Sequence, residues 1–82
     1  MGPKIEYFAI EDGKIKVECD GARDVVIHLG GRKTLYRHGS LDEPIFASEF
    51  DLPENFKYIR VDVVDFEGRH ADTRAIFPDE II

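Results

Sequence analysis

Hydrophobic and polar residues alternate along most of this chain, a pattern typical of β-strands with one buried face. In the clearest stretch, residues 58–63, Ile59, Val61 and Val63 fall on one face, and Arg60 and Asp62 fall on the other. No window has the 3.6-residue period of an amphipathic helix, and Pro53 interrupts the nearest candidate. The alternation predicts strands over residues 4–10, 14–19, 24–29, 32–37, 44–50, 58–63 and 70–77.

Glycine-containing dipeptides separate these strands and predict the turns between them. They are Asp12-Gly13, Asp20-Gly21, Gly30-Gly31 and Glu67-Gly68. We expect Gly30-Gly31 to supply the positive φ of a two-residue hairpin. Short strands with a turn signal every ten residues or so predict an all-β fold, an immunoglobulin-like β-sandwich of about seven short antiparallel strands. The sequence has no tryptophan, so the domain is not of the antibody type.

Length and composition indicate one folded domain, residues 1–82, with no room for a second core. Hydrophobic residues make up 43% of the chain, but no apolar run approaches the roughly 20 residues of a membrane helix. The net charge of −6 argues against nucleic acid as a partner. Cys19 is the only cysteine, which favours a reducing compartment and predicts a cytoplasmic location.

The sequence offers no set of residues for catalysis or metal binding. The histidines are His28, His38 and His70, and none has the spacing of a metal motif. The two serines, Ser40 and Ser48, lie outside any Gly-x-Ser-x-Gly motif. We therefore expect neither enzymatic activity nor a cofactor in this domain.

One stretch is basic and partly aromatic within an otherwise acidic chain. The residues of this candidate docking patch are Arg32, Lys33, Tyr36, Arg37 and His38. An exposed strand of this composition is suited to an acidic protein surface or a phosphorylated ligand. The alternative is an edge strand that carries charge to prevent edge-to-edge pairing.

Residues 52–71 read Leu-Pro-Glu-Asn-Phe-Lys-Tyr-Ile-Arg-Val-Asp-Val-Val-Asp-Phe-Glu-Gly-Arg-His-Ala. This stretch resembles the C-terminal β-domain that follows the catalytic barrel in PHP-type metal-dependent phosphoesterases, the polymerase and histidinol phosphatase superfamily. Such domains carry a Tyr-hydrophobic-Arg-Val strand, matched from Tyr58, and an Asp-x-x-Gly-Arg-x-Ala turn, matched from Asp65. A final Ile-aromatic strand is matched at Ile76.

The chain departs from this pattern at two places. Asp72 stands where the family tends to have Trp, and Arg74-Ala75 replaces Asn-Pro. The resemblance implies a fragment of a longer protein, because the family's metal ligands lie in the barrel and none falls on this chain. It also implies an accessory role in which the domain packs against that barrel or a partner protein.

A free-standing or tandem immunoglobulin-like binding module is the alternative function. Its ligand would be a protein rather than a carbohydrate, because sugar-binding platforms favour the Trp that this sequence lacks. Edge strands that pair across a two-fold axis would also allow a dimer.

Overall fold

The computed structural model of the chain describes residues 3–30 and 34–77, which form seven strands and no helix. Every strand pairing is antiparallel, which confirms the predicted all-β fold and the strand number. The strands are β1 (Ile5–Glu11), β2 (Lys14–Ala22), β3 (Asp24–His28), β4 (Thr34–His38), β5 (Ile45–Asp51), β6 (Arg60–Val64) and β7 (His70–Asp72).

The strands form two sheets, with the orders β1-β2-β5 and β4-β3-β6-β7. The chain passes from one sheet to the other after β2, β4 and β5. This arrangement is that of a β-sandwich, while the immunoglobulin-like detail stays a prediction. The edges of the described sheets are β1 and β5 in the first, and β4 and β7 in the second.

Inward-facing residues of both sheets form one hydrophobic core, as the alternation predicts. The most deeply buried members alternate along β2, β3 and β6, where their polar neighbours face outward. The buried core residues are Ile15, Val17, Cys19, Ala22, Val25, Ile27, Leu29, Ile45, Ile59, Val61 and Val63.

Two of the predicted turns are confirmed. Asp12 and Gly13 have φ angles of 52° and 72°, which identify a two-residue type I′ turn between β1 and β2. In the β6–β7 turn, the Gly68 N–H donates to the Asp65 carbonyl at 3.2 Å. The Asp65 side chain also accepts hydrogen bonds from the backbone of Glu67 and Arg69, both at 2.9 Å.

The Asp20-Gly21 turn was a wrong prediction, because β2 continues through both residues to Ala22. The register between β2 and β5 shifts after Glu18, so this stretch is a β-bulge rather than a reversal of the chain. Gly21 provides the φ of +99° that the bulge requires.

The Gly30-Gly31 hairpin was also wrong as a two-residue turn. His28 pairs with Thr34, a register that requires an odd number of residues in the connection. Gly31 itself lies outside the described residues. The last predicted strand, 70–77, is shorter than expected: β7 ends at Asp72, and only Ile76 pairs again, with Ile59. Phe77, at the end of the predicted strand, is half exposed.

No helix in the described part of the chain is long and apolar enough to cross a membrane.

Candidate docking surface

The candidate docking patch falls on β4, the open edge of the four-stranded sheet. Tyr36, Arg37 and His38 are exposed there, while Arg32 and Lys33 lie outside the described residues. Among the described strands, β4 pairs only with β3. The structure therefore places three of the five patch residues on an edge strand. Both the docking interpretation and the edge-protection interpretation require this position.

Successive residues of β4 point to opposite sides of the sheet, so the patch does not form one face. His38 pairs with Asp24, and Tyr36 pairs with Val26, on the outward side. Arg37 pairs with Val25, a buried core residue, and therefore lies on the side that faces the other sheet.

On the outward side, the rings of Tyr36 and His38 lie edge to face, with centroids 4.8 Å apart. His38 Nδ1 is hydrogen-bonded to the Asp24 carboxylate, which also accepts from Arg23 Nε at 2.8 Å. Partial burial raises the pKa of the Asp24 carboxyl, but the hydrogen bonds from Arg23 and His38 outweigh this effect. The pKa of Asp24 therefore lies below its usual value, and the carboxylate stays charged and holds the ring of His38 in place.

On the other side, the Arg37 guanidinium reaches from β4 to β5 and donates to the Ala47 carbonyl at 3.3 Å. Because this acceptor is a neutral carbonyl, the bond leaves the positive charge of Arg37 uncompensated. None of the salt bridges within the described residues includes Arg37. The guanidinium is thus both a link between the two sheets and a cation at the open edge.

Large apolar side chains are exposed in β4, in β5 and in the connection between these strands. Tyr36 in β4 is 62% exposed, Leu41 in the connection after it is 79% exposed, and Phe46 in β5 is 59% exposed. A concavity of about 290 Å³ is lined by residues of the stretch from Arg37 to Ile45, among them Ser40 and Glu43. Apolar exposure beside a cation is typical of protein interaction surfaces.

All three histidines lie on the outward face of the four-stranded sheet, a grouping that sequence reasoning missed. His28 alternates with the buried residues of β3. His38 pairs with Asp24, which alternates with the same buried residues, and His70 pairs with Val64. His70 Nδ1 lies 3.1 Å from both carboxylate oxygens of Asp62. The alternation in the sequence predicts that His28 faces outward. It does not predict the registers of β4 with β3 and of β7 with β6, which place His38 and His70 on the same face.

These histidines do not form a metal centre within residues 3–30 and 34–77, where no group of three or more His, Cys, Asp or Glu side chains is placed to hold an ion. Neither serine is arranged as a nucleophile. Ser40 closes a turn, since its Oγ accepts from the Glu43 N–H at 3.1 Å, and Ser48 is buried beside the core. The groups described at the β4 edge are suited to recognition by charge, hydrogen bonds and stacking.

A second concavity, of about 520 Å³, lies at the end of the domain that includes Pro3. It is lined by the bulge of β2 and by the β6–β7 turn, including Asp20, Phe66 and Arg69. Sequence reasoning missed this concavity, because the segments that line it are distant along the chain.

Comparison with known proteins adds no relative: no family model, no curated protein and no solved structure matches this chain. The family resemblance of residues 52–71 therefore stays a prediction.

Proposed function

We propose that this chain is a non-catalytic C-terminal accessory domain of a PHP-type metal-dependent phosphoesterase, and that it docks onto the catalytic barrel or a partner protein. The observation that carries this proposal is the resemblance of residues 52–71 to the tail domains of that superfamily. In the fold, this segment supplies β6, the turn held by Asp65 and the start of β7. The metal and the catalytic residues belong to the barrel, and this domain contributes binding surface.

Two further features belong to the proposal. The passage of the chain between sheets after β2, β4 and β5 supports an immunoglobulin-like topology, because such sandwiches are built from Greek-key connections. The single cysteine, which is free and buried, supports a cytoplasmic location.

A docking role is supported by the distribution of exposed groups. Tyr36, Leu41 and Phe46 are the most exposed of the large apolar residues described, and all three lie in β4, in β5 or between them. The aromatic rings of Tyr36 in β4 and Phe46 in β5 and the guanidinium of Arg37 lie on edge strands of the two sheets. Exposed apolar groups near a cation are typical of an interaction surface.

The same exposure supports a second candidate, a free-standing or tandem binding module for a protein ligand. The two proposals share the docking edge and differ in the chain that occupies it. In the first, the occupant belongs to a phosphoesterase, and in the second it belongs to any other protein.

Sequencing the gene upstream of the codon for residue 1 separates these proposals. The accessory-domain proposal predicts an open reading frame of a few hundred codons that encodes His-x-His motifs and continues in frame into this domain. A start codon and ribosome-binding site directly before the Met1 codon would contradict it and leave the binding module as the function.

A further inference from the structure

β4 presents a row of backbone groups along the open edge of its sheet. The Gly39 N–H donates to the Arg23 carbonyl at 2.6 Å, just beyond the last residue of β4. Hydrogen-bonded pairs recur at every second residue of an antiparallel ladder, so the backbone groups of Leu35 and Arg37 also face β3. The backbone groups that point toward the open edge are those of Thr34, Tyr36 and His38.

Charge distinguishes β4 from the other sheet edges. The domain has a net charge of −6, and three of the four edge strands in the described sheets carry carboxylates. β4 carries none, and instead contains Arg37 and His38. The edge carboxylates are Glu6 and Glu11 in β1, Glu49 and Asp51 in β5, and Asp72 in β7.

The side chains of β4 define what an added strand would meet. Directly opposite residues of an antiparallel pair share a face, so a residue opposite Tyr36 would contact an exposed aromatic ring. A residue opposite Arg37 would lie beside a guanidinium that has five N–H donors and gives one of them to Ala47. A carboxylate at that position would form charge-assisted hydrogen bonds with the remaining donors.

We propose that β4 binds an extended, acidic peptide segment of a protein partner, which adds to the four-stranded sheet as a further strand beside β4. Backbone hydrogen bonds to Thr34, Tyr36 and His38 provide affinity, and a carboxylate beside Arg37 provides selectivity. The inference rests on the proposed docking role, but it does not depend on which protein supplies the segment.

The test is a titration of the isotope-labelled chain, followed by the amide resonances in nuclear magnetic resonance spectra. The probe is a capped peptide of about eight residues that alternates threonine with glutamate, a length that covers one strand. We expect the resonances of Thr34, Tyr36 and His38 to shift and to saturate. A matched peptide with lysine in place of glutamate should bind at least about tenfold more weakly.

Two variants of equal charge change provide the control. Arg37→Gln should weaken binding of the glutamate peptide by about fivefold, the effect of losing one charge-assisted contact. Lys16→Gln, on the central strand of the other sheet, should leave binding unchanged. If Arg37→Gln does not give the spectrum of a folded protein, the comparison of the two peptides on the unaltered chain decides the question.

Three results would overturn the proposal: no shift with millimolar peptide, equal binding of both peptides, or shifts confined to β1, β5 or β7. None of these results bears on the gene sequence upstream of this domain. Failure of the β4 site is therefore distinguishable from failure of the phosphoesterase proposal.

Discussion

The Arg37 guanidinium donates a hydrogen bond to the Ala47 carbonyl at 3.3 Å and so joins the open edges of the two sheets. This bond occupies a carbonyl of β5 that would otherwise be available to another strand, which is one way in which β-proteins protect an edge. The protection is unequal, because within the described residues no such bond covers the backbone groups at the open edge of β4. Edge protection is thus observed at β5, whereas docking at β4 is the proposal made above.

Loss of the Arg37 link should have a small effect on stability. The hydrogen bond is long and exposed, so Arg37→Gln should lower the free energy of unfolding by less than about 1 kcal/mol. Urea denaturation of this variant beside Lys16→Gln, which loses the same charge elsewhere, measures the difference. A loss above about 2 kcal/mol would show that Arg37 is mainly structural.

Gly21 should tolerate substitution less well than Gly68, although both have positive φ angles. A Cβ at Gly21 would lie 3.3 Å from the Phe46 ring, whereas nothing lies within 4 Å of a Cβ at Gly68. We expect Gly68→Ala to cost about 1 kcal/mol through backbone strain alone. Gly21→Ala should cost about 1 kcal/mol more, as measured by thermal or urea denaturation.

Removal of the Phe46 ring tests the cause of this difference. In a Phe46→Ala background, Gly21→Ala should cost no more than Gly68→Ala does, because only the strain of the bulge remains. An unchanged cost of Gly21→Ala in that background would locate the extra penalty in the backbone of the bulge.

The stability contributed by Asp65 should disappear at low pH. Partial burial raises the pKa of this carboxyl, but hydrogen bonds from the backbone of Arg69 and Glu67 and from the Arg69 guanidinium outweigh burial and place the pKa below its usual value. A carboxyl whose pKa is lower in the folded state stabilises the fold above its unfolded-state pKa, and this contribution is lost as pH falls through the folded-state pKa. The free energy of unfolding of the unaltered chain exceeds that of Asp65→Asn by an amount that should therefore shrink between about pH 5 and pH 2.

The exposed loop residue Asp42 provides the control for this pH series. The stability difference between the unaltered chain and Asp42→Asn should change less with pH than that for Asp65→Asn. An advantage of Asp65 that stays constant down to pH 2 would contradict the role assigned to its charged form. The stability advantage of the unaltered chain over Asp24→Asn should also shrink at low pH, because the pKa of Asp24 is also lowered.

The Cys19 thiol should be unreactive in the folded protein. It is 4% exposed, and its Sγ donates to the Ile45 carbonyl at 3.1 Å. Burial raises the pKa of this thiol, so little of it is the nucleophilic thiolate at neutral pH. Iodoacetamide should label Cys19 slowly in buffer and rapidly in denaturing urea, as followed by mass spectrometry. Equally rapid labelling in buffer would show that β2 opens readily beside its bulge.

The sequence predicted the strands and the core because both depend on a local pattern. Ile59, Val61 and Val63 alternate with charged residues, and the structure buries all three. The turn at Asp12-Gly13 was predictable for the same reason, since a type I′ turn needs two adjacent residues that accept positive φ. The Gly21 bulge was not predictable, because an isolated glycine is compatible with a turn and with a bulge, and only pairing with β5 decides between them.

The composition of the candidate docking patch could be read from the sequence, but its geometry could not. Tyr36, Arg37 and His38 were identified as a basic, aromatic stretch, yet their division between two sides of β4 follows from the register with β3. That register depends on the length of the connection after His28, where the sequence indicated a shorter turn. The pairing of His38 with Asp24 is likewise a product of register between strands that are distant along the chain.

Hydrogen exchange of the backbone amides tests most directly whether this domain docks through β4. The measurement compares the isolated chain with the longer gene product that the accessory-domain proposal predicts. The amides of Tyr36 and His38 face the open edge, so we expect rapid exchange in the isolated chain and marked protection in that longer product. Equal exchange of these amides in the two forms, or protection confined to β1, β5 or β7, would contradict the account.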